Sequence, residues 1–140
     1  MLRFDLPEQK KLVHETVIPI RWGDMDAMRH VNNTIYFRYM EIARTEWLDT
    51  LGRIDGMQTV APVLLNAFCN FLRQLSYPGD VRASVYVSKI GTSSVDTYYT
   101  LERTDEPGVV YATGGSKLVW TLVEEQRSTP IPAAVRERLR

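Results

Sequence analysis

The sequence predicts an α+β domain: an antiparallel sheet of about five strands wrapped around one long central helix. Three observations carry that prediction. Tyr36, Met40, Ala43, Trp47 and Leu51 recur at spacings of four, three, four and four, one stripe on a helix, and Ile35, Tyr39, Ile42 and Leu48 widen it. Beyond Val60 the pattern changes to alternation in short runs separated by turn residues. The chain holds 140 residues, enough for one core burying roughly two thirds of the unfolded surface.

Taken in order, Met1–Lys11 reads as a loosely attached leader, about the first 12 residues of a single domain spanning 1–140, because Pro7 and clustered charges discourage a packed element. From Val13 to Trp22 the residues alternate as in a strand, and Pro19, which has no N–H to donate, points to an edge or a bulge. A polar loop leads into the helix, for which Asn32, Asn33 and Thr34 all suit the N-cap; Asn33→Ala is expected to cost mainly a cap, about 1 kcal/mol. Gly52 suits a left-handed helix stop, and Arg53–Gln58 is a connection. Val60–Leu75 is a long β-prone run, followed by a turn at Pro78-Gly79-Asp80 and a strand over Val81–Ile90. Gly91 marks a turn before a strand over Ser94–Arg103, and Glu106-Pro107-Gly108 turns again. Val109–Val123 is the last long strand, with a bend or bulge expected at Gly114-Gly115. Short connections favour an antiparallel meander. A short helix is expected from near Pro132, with Arg136, Arg138 and Arg140 in its last turns.

Composition excludes several functions. Basic and acidic residues balance at 17 each, and no Lys/Arg run exceeds two residues, so neither nucleic acid nor an anionic membrane is an expected partner. The N-terminal residues lack the apolar core of a signal peptide, and Val60–Leu72 is interrupted by Pro62, Asn66 and Asn70, so a cytoplasmic location is expected. Cys69 is the one cysteine, set among Phe68, Phe71 and Leu72, and reads as a buried inert thiol rather than a nucleophile paired with His30. Two histidines and one cysteine give no metal-ligand spacing, so no metal is expected.

The chemistry concentrates between Arg21 and Asn33. Asp24, Asp26, His30, Asn32 and Asn33 fall within ten residues, a density of short polar groups that a surface turn does not require. From the residues alone, the two aspartates form either a turn and capping pair or a catalytic site. His30 either polarises a carbonyl or acts as an acid, or is a hydrogen-bonded loop histidine. Met25 and Met28 either line an adaptable pocket or simply pack. His14, alternating within a strand, reads as structural.

The string GDMDAMRHVNNTIYFRYMEIAR, with NAFCNFLRQLSYPGDV, the turn GTSS and the closing YATGGSKLVW and TPIPAAVRERL, resembles the hotdog-fold acyl-CoA thioesterases of the 4-hydroxybenzoyl-CoA thioesterase type. The resemblance runs from about Val13 to Arg138 and is most specific in the D-x-D pair followed by HVNN. It implies that Asp26, the second aspartate of the pair, is the catalytic carboxylate, as nucleophile or as general base. It further implies a substrate channel between two subunits, with nucleotide contacts supplied by the partner. One departure stands out: where many relatives carry glycine just before HVNN, this chain has Arg29, so a different loop backbone is expected there.

Thioester hydrolysis also needs donors facing the oxygen on which charge develops. Backbone N–H groups around Asn32 and Asn33, backed by the positive end of the helix dipole, are the expected source, so Asp26, His30 and Asn33 form the candidate catalytic set. Asp24 is expected to hold the loop. No separate cofactor is expected, because CoA is part of the substrate. Its pantetheine and phosphates are assigned to the turn Gly91-Thr92-Ser93-Ser94, against the alternative of a plain hairpin turn, with Arg73, Arg82 and Lys89 as weaker sources of charge. The chain is expected to form a homodimer or homotetramer, since unpaired sheet edges are removed by pairing between copies. The readings from other classes are a non-catalytic acyl-thioester binding protein on the same fold, and a hydratase.

Overall fold

A computed structural model describes residues 2, 4–52 and 59–140; the connection read at Arg53–Gln58 lies outside the described residues, as do Met1 and Arg3 of the leader. The elements are β1 (Lys11–Pro19), a 3₁₀ turn at Trp22–Asp24, α1 (Asn33–Thr50), β2 (Val60–Phe71), β3 (Asp80–Ile90), β4 (Ser94–Arg103), β5 (Val110–Leu122), β6 (Arg127–Ser128) and α2 (Ala133–Leu139). All strand pairs are antiparallel, in the order β1-β3-β4-β5-β2, and the two-residue β6 adds to the end of β5. This is the hotdog arrangement, one curved sheet holding one long helix.

The stripe read from the sequence is the buried face of α1: Tyr36, Met40, Ala43, Trp47 and Leu51 lie against the sheet. Facing them are Val81, Ala83, Val85 and Val87 from β3 and Val95, Thr97, Tyr99 and Leu101 from β4, all buried. The helix stops where expected, with Gly52 at φ +98°. Its N-cap is Asn32, whose Oδ1 accepts the Thr34 N–H at 2.9 Å and the Thr34 hydroxyl at 2.7 Å. The cap role expected of Asn33 therefore belongs to its neighbour.

Several expectations are corrected by long-range packing. The first strand ends at Pro19 instead of Trp22, because the Asp24 carboxylate takes the Arg21 N–H at 2.9 Å and draws the chain into the 3₁₀ turn. Pro19 does lie on an edge strand, as its missing donor requires. The meander holds for β3-β4-β5 only. β2 lies beyond β5 at the far edge, and the Leu72–Gly79 link carries the chain back across the end of the sheet to β3. Gly114-Gly115 makes no bulge: Tyr99 pairs with Gly114 and Tyr98 with Gly115 in unbroken register. A Cβ on Gly114 would stand 2.6 Å from Met40 Sδ and 2.8 Å from the Phe68 carbonyl oxygen, so this glycine lets α1 close on the sheet.

Two outlying segments are held at defined points. The leader meets β2 where the Asn70 side-chain amide donates to the Phe4 carbonyl at 2.6 Å, with the Phe4 and Phe68 rings 5.1 Å apart. Helix α2 begins after Pro132, buries Val135 and Leu139, and its Arg136 donates to the carbonyls of Gly91 and Thr92 at 2.6 and 2.9 Å. Among the described residues no helix is long and apolar enough to cross a membrane.

Candidate active site

The loop between β1 and α1 is built around Asp24. Its Oδ2 accepts the Tyr39 hydroxyl at 2.7 Å as well as the Arg21 N–H, and its carbonyl accepts the Asn32 N–H at 3.0 Å. Burial, then the hydrogen bond to Asp24, hold the Tyr39 phenol well above its ordinary pKa, so it remains a donor. Met25 and Val31 bridge the two arms of the loop. Asp24 thus holds the loop, as read from the sequence.

At the tip, the Asp26 N–H donates to the His30 carbonyl at 2.9 Å and the Arg29 N–H donates to the Asp26 carbonyl at 3.0 Å. Arg29 sits at φ +63°, the left-handed region that glycine enters without strain. The backbone here is therefore one a glycine would adopt, and Arg29 takes it despite its Cβ. The exposed Asp26 carboxylate accepts the Met28 N–H on Oδ1 at 2.9 Å. Among the described residues its Oδ2 has no donor.

A cavity of about 370 Å³ brings Asp26, His30 and Asn33 together with Met28, Tyr36 and the Phe71–Gln74 segment. Asn32, also named as a source of N–H donors, does not serve, because its N–H is spent on Asp24. The Asn33 N–H, at the first helical position, has no acceptor among the described residues and lies at the positive end of α1. The arrangement can accept an electrophile: a carboxylate oxygen without a partner, an imidazole, and an N–H that can meet developing negative charge.

Sequence reasoning assigns two residues of this cavity elsewhere. Tyr36 was read only as core, yet its hydroxyl donates to the Arg73 carbonyl at 3.1 Å and accepts the Leu75 N–H at 2.9 Å, fixing the wall opposite Asp26. A tyrosine on an apolar helix face needs a partner for its hydroxyl, which is the signal that could have found it. Arg73, weighed for the nucleotide, lines the Asp26 cavity. Cys69, expected to be buried, is only partly so; it does not line this cavity, and desolvation pushes its thiol up to about 12.

Gly91–Ser94 lies beyond the other end of β3 from this cavity. Eleven strand residues separate the Gly79 end, where the Ile20 N–H meets the Gly79 carbonyl, from the turn, a span of about 35 Å. One chain therefore does not place the turn beside Asp26. The carbonyls of Gly91, Thr92 and Ser93 are occupied by Arg136, Ile131 and Trp120, and the Gly91 N–H by the Ser94 carbonyl. Among the described residues the donors of Thr92 and Ser93 have no acceptor beyond the strand ladder, and Thr92 is exposed.

Residues 20–139, nearly all of this architecture, match the model of the thioesterase-like superfamily. The chain belongs to that superfamily. Among solved structures, this thioesterase-like chain is similar to the PA2801 protein, a proposed thioesterase from Pseudomonas aeruginosa, with 39% identity and a TM-score of 0.87 over 93% of this chain and 100% of that one. It is also similar to a proposed acyl-CoA thioesterase from Xanthomonas campestris, at 31% identity and a TM-score of 0.77 over 86% of this chain and all of that chain. The uncharacterised protein YsmA of Bacillus subtilis is 27% identical over 86 residues, which span 61% of this chain and 58% of YsmA. Fold and family are those of thioester hydrolases.

Proposed function

We propose that the protein hydrolyses acyl-CoA thioesters, with Asp26 as nucleophile or general base. The observation that carries the reading is that one cavity holds both an Asp26 oxygen and the Asn33 N–H, each without a partner among the described residues. A thioester carbonyl held there points its oxygen at the Asn33 N–H, and the field of α1 favours the charge that builds on it. Asp26 then either takes a proton from a water that attacks the carbonyl carbon or attacks that carbon itself to give an anhydride that water opens. Both routes consume one water and release a carboxylic acid and the CoA thiol. In this reading His30, which lines the same cavity, polarises the carbonyl or protonates the leaving sulfur. The named similarity to a proposed acyl-CoA thioesterase supports CoA as the thiol half.

The working unit in this reading is at least a dimer. β2 is an edge strand with Val63, Leu64 and Leu65 45%, 45% and 63% exposed, a long apolar edge that a second copy would pair and cover. The partner's hairpin would then supply Thr92 and Ser93 to the CoA moiety.

The test is turnover by purified Asp26→Asn, read by free-thiol release. Hydrolysis is expected to fall by at least about 10² to 10⁴ while acyl-CoA binding survives; a rate near the parent's refutes the assignment. Mixing Asp26→Asn with Thr92→Ala/Ser93→Ala is expected to restore activity in hybrid sites, and an active monomer by light scattering refutes the shared site.

A further inference from the structure

A second cavity, of about 270 Å³, is lined by residues of α1, β2, β4 and β5. It neighbours the first through Phe37 and Phe71, whose rings stand edge to face with centroids 6.3 Å apart, Phe37 lining one cavity and Phe71 the other. Met40, Leu64, Phe68 and Tyr99 give the second cavity apolar walls, and Arg44 enters it from α1. We propose that Arg44 forms a subsite for a carboxylate at the far end of the acyl group, so that the substrate is the thioester of a medium-length acyl chain ending in an acid. This rests on the thioesterase reading above.

The first observation is the state of Arg44. It is half-buried, its guanidinium lies 6.0 Å from the centre of the Tyr99 ring, and its Nη1 donates to the Tyr99 hydroxyl over a long 3.4 Å. Among the described residues it has no carboxylate partner. Arg38 and Glu41, which line the same cavity, pair with each other at 3.2 Å. A guanidinium has five N–H donors in a rigid fork, and a partly desolvated one gains most from a bidentate carboxylate.

The second observation is what lies beneath it. The hydroxyls of Thr97, Tyr99 and Ser116 form a triangle with all three sides at 2.7 Å, and the Thr97 hydroxyl also reaches the Ser116 carbonyl at 3.0 Å. This closed network is buried in a face that is otherwise apolar. It fixes the Tyr99 ring, and the ring in turn supports Arg44, so the cation is held in place before any ligand arrives.

Distance selects the ligand. From Asn33 to Arg44 the helix rises about three turns, or about 16 Å, and the backward lean of the Arg44 side chain leaves about 11–16 Å to span. One aromatic ring attached to the thioester carbonyl does not reach that far, whereas an extended chain of medium length does. Its methylene groups would lie along Phe37, Met40 and Phe68.

The experiment compares decanoyl-CoA with the mono-CoA thioester of decanedioic acid, which adds one terminal carboxylate. The parent is expected to prefer the carboxylated thioester, and Arg44→Met to lower the ratio of the two kcat/KM values by about 10- to 100-fold, the range of a hydrogen-bonded charge. Arg44→Lys, which keeps the charge and loses the fork, is expected to lower it by a smaller factor, and it reads the subsite should Arg44→Met not fold. The same pair of ligands is titrated calorimetrically into Asp26→Asn with and without Arg44→Met. That arm reads the subsite as a ratio of Kd values without turnover, so failure of the hydrolase reading and failure of the subsite appear separately. A ratio unchanged by Arg44→Met in both arms overturns the proposal. So does dissociation of an oligomer by Arg44→Met with the ratio intact, which would assign Arg44 to a second copy of the chain.

Discussion

Removing one oxygen from Tyr36 should loosen the wall of the candidate active-site cavity by a predictable amount. In Tyr36→Phe the Leu75 N–H, on a residue with 0% exposure, loses the acceptor it holds at 2.9 Å. A buried donor left without a partner costs about 1–3 kcal/mol. The Arg73 carbonyl loses a donor too, but Arg73 is exposed and water can replace the hydroxyl, so that part adds about 0.5 kcal/mol or less. The more apolar ring returns a little of this, which leaves about 1–3 kcal/mol. For 140 residues the unfolding entropy is about 0.3 kcal/mol per kelvin, so the thermal midpoint should drop by about 3–10 °C. Urea unfolding followed by tryptophan fluorescence gives the free energy, and acyl-CoA hydrolysis on the folded protein should show a raised KM, because the Phe71–Gln74 segment bounds the cavity. A loss under about 0.5 kcal/mol would refute the reasoning, since it would mean that water reaches the Leu75 amide.

Gly114→Ala should destabilise by about 1–3 kcal/mol through overpacking, and Met40→Ala in the same chain should recover part of it, because two of the three close contacts are to Met40 while the third is to the fixed Phe68 carbonyl; full additivity of the two substitutions in urea melts would refute the contact. The Cys69 thiol, pushed up to about 12 by burial from 9.0, should react with a disulfide reagent at pH 8 about a thousandfold more slowly than in denaturant; equal rates would show it exposed. The hydrogen bond from His14 at 3.0 Å lowers the Glu46 pKa below its ordinary 4.5. Below that value the unfolded chain binds the extra proton first, so the stabilisation is present above about pH 4.5 and is lost as pH falls through the lowered folded value. With Glu46 47% exposed, solvent screening limits it to a few tenths of a kcal/mol, about 0.3; a Glu46→Gln difference that persists at pH 3 would refute it.

Periodicity reads burial, and burial was what the sequence stated best. The stripe from Tyr36 to Leu51 and the alternation of β3 and β4 are both present as read, because each follows from one element facing one core. Sheet order was not legible in the same way. Nothing local in Val60–Phe71 says that this strand crosses to the far side of β5, and a meander is what short links suggest when the Leu72–Gly79 crossing is not seen. Gly114 shows the same limit: a glycine inside a strand is equally a bulge or a close approach, and Met40, which decides it, lies far away in the chain. In the site, Asp26, His30 and Asn33 could be grouped because they are neighbours in sequence. The choice of Asn32 as cap required the bond from Asn32 N–H to the Asp24 carbonyl, and Tyr36 joins the site only through a link 37 residues later.

The Leu72–Gly79 link is held almost entirely through its backbone. The Leu72 and Arg73 N–H groups both donate to the Tyr111 carbonyl at 3.0 Å, Tyr36 takes Arg73 and Leu75, and the Leu75 carbonyl accepts the Val31 N–H at 2.8 Å. Arg103 donates to the carbonyls of Ser76 and Pro78 at 2.9 and 2.8 Å. The side chains of Phe71, Leu72, Arg73 and Gln74 remain exposed, and all four line the cavity. Inherited substitutions at these positions can therefore alter the shape and charge presented to a ligand while the scaffold stays put. A lineage carrying this link is free to drift from one acyl group to another without first losing its fold.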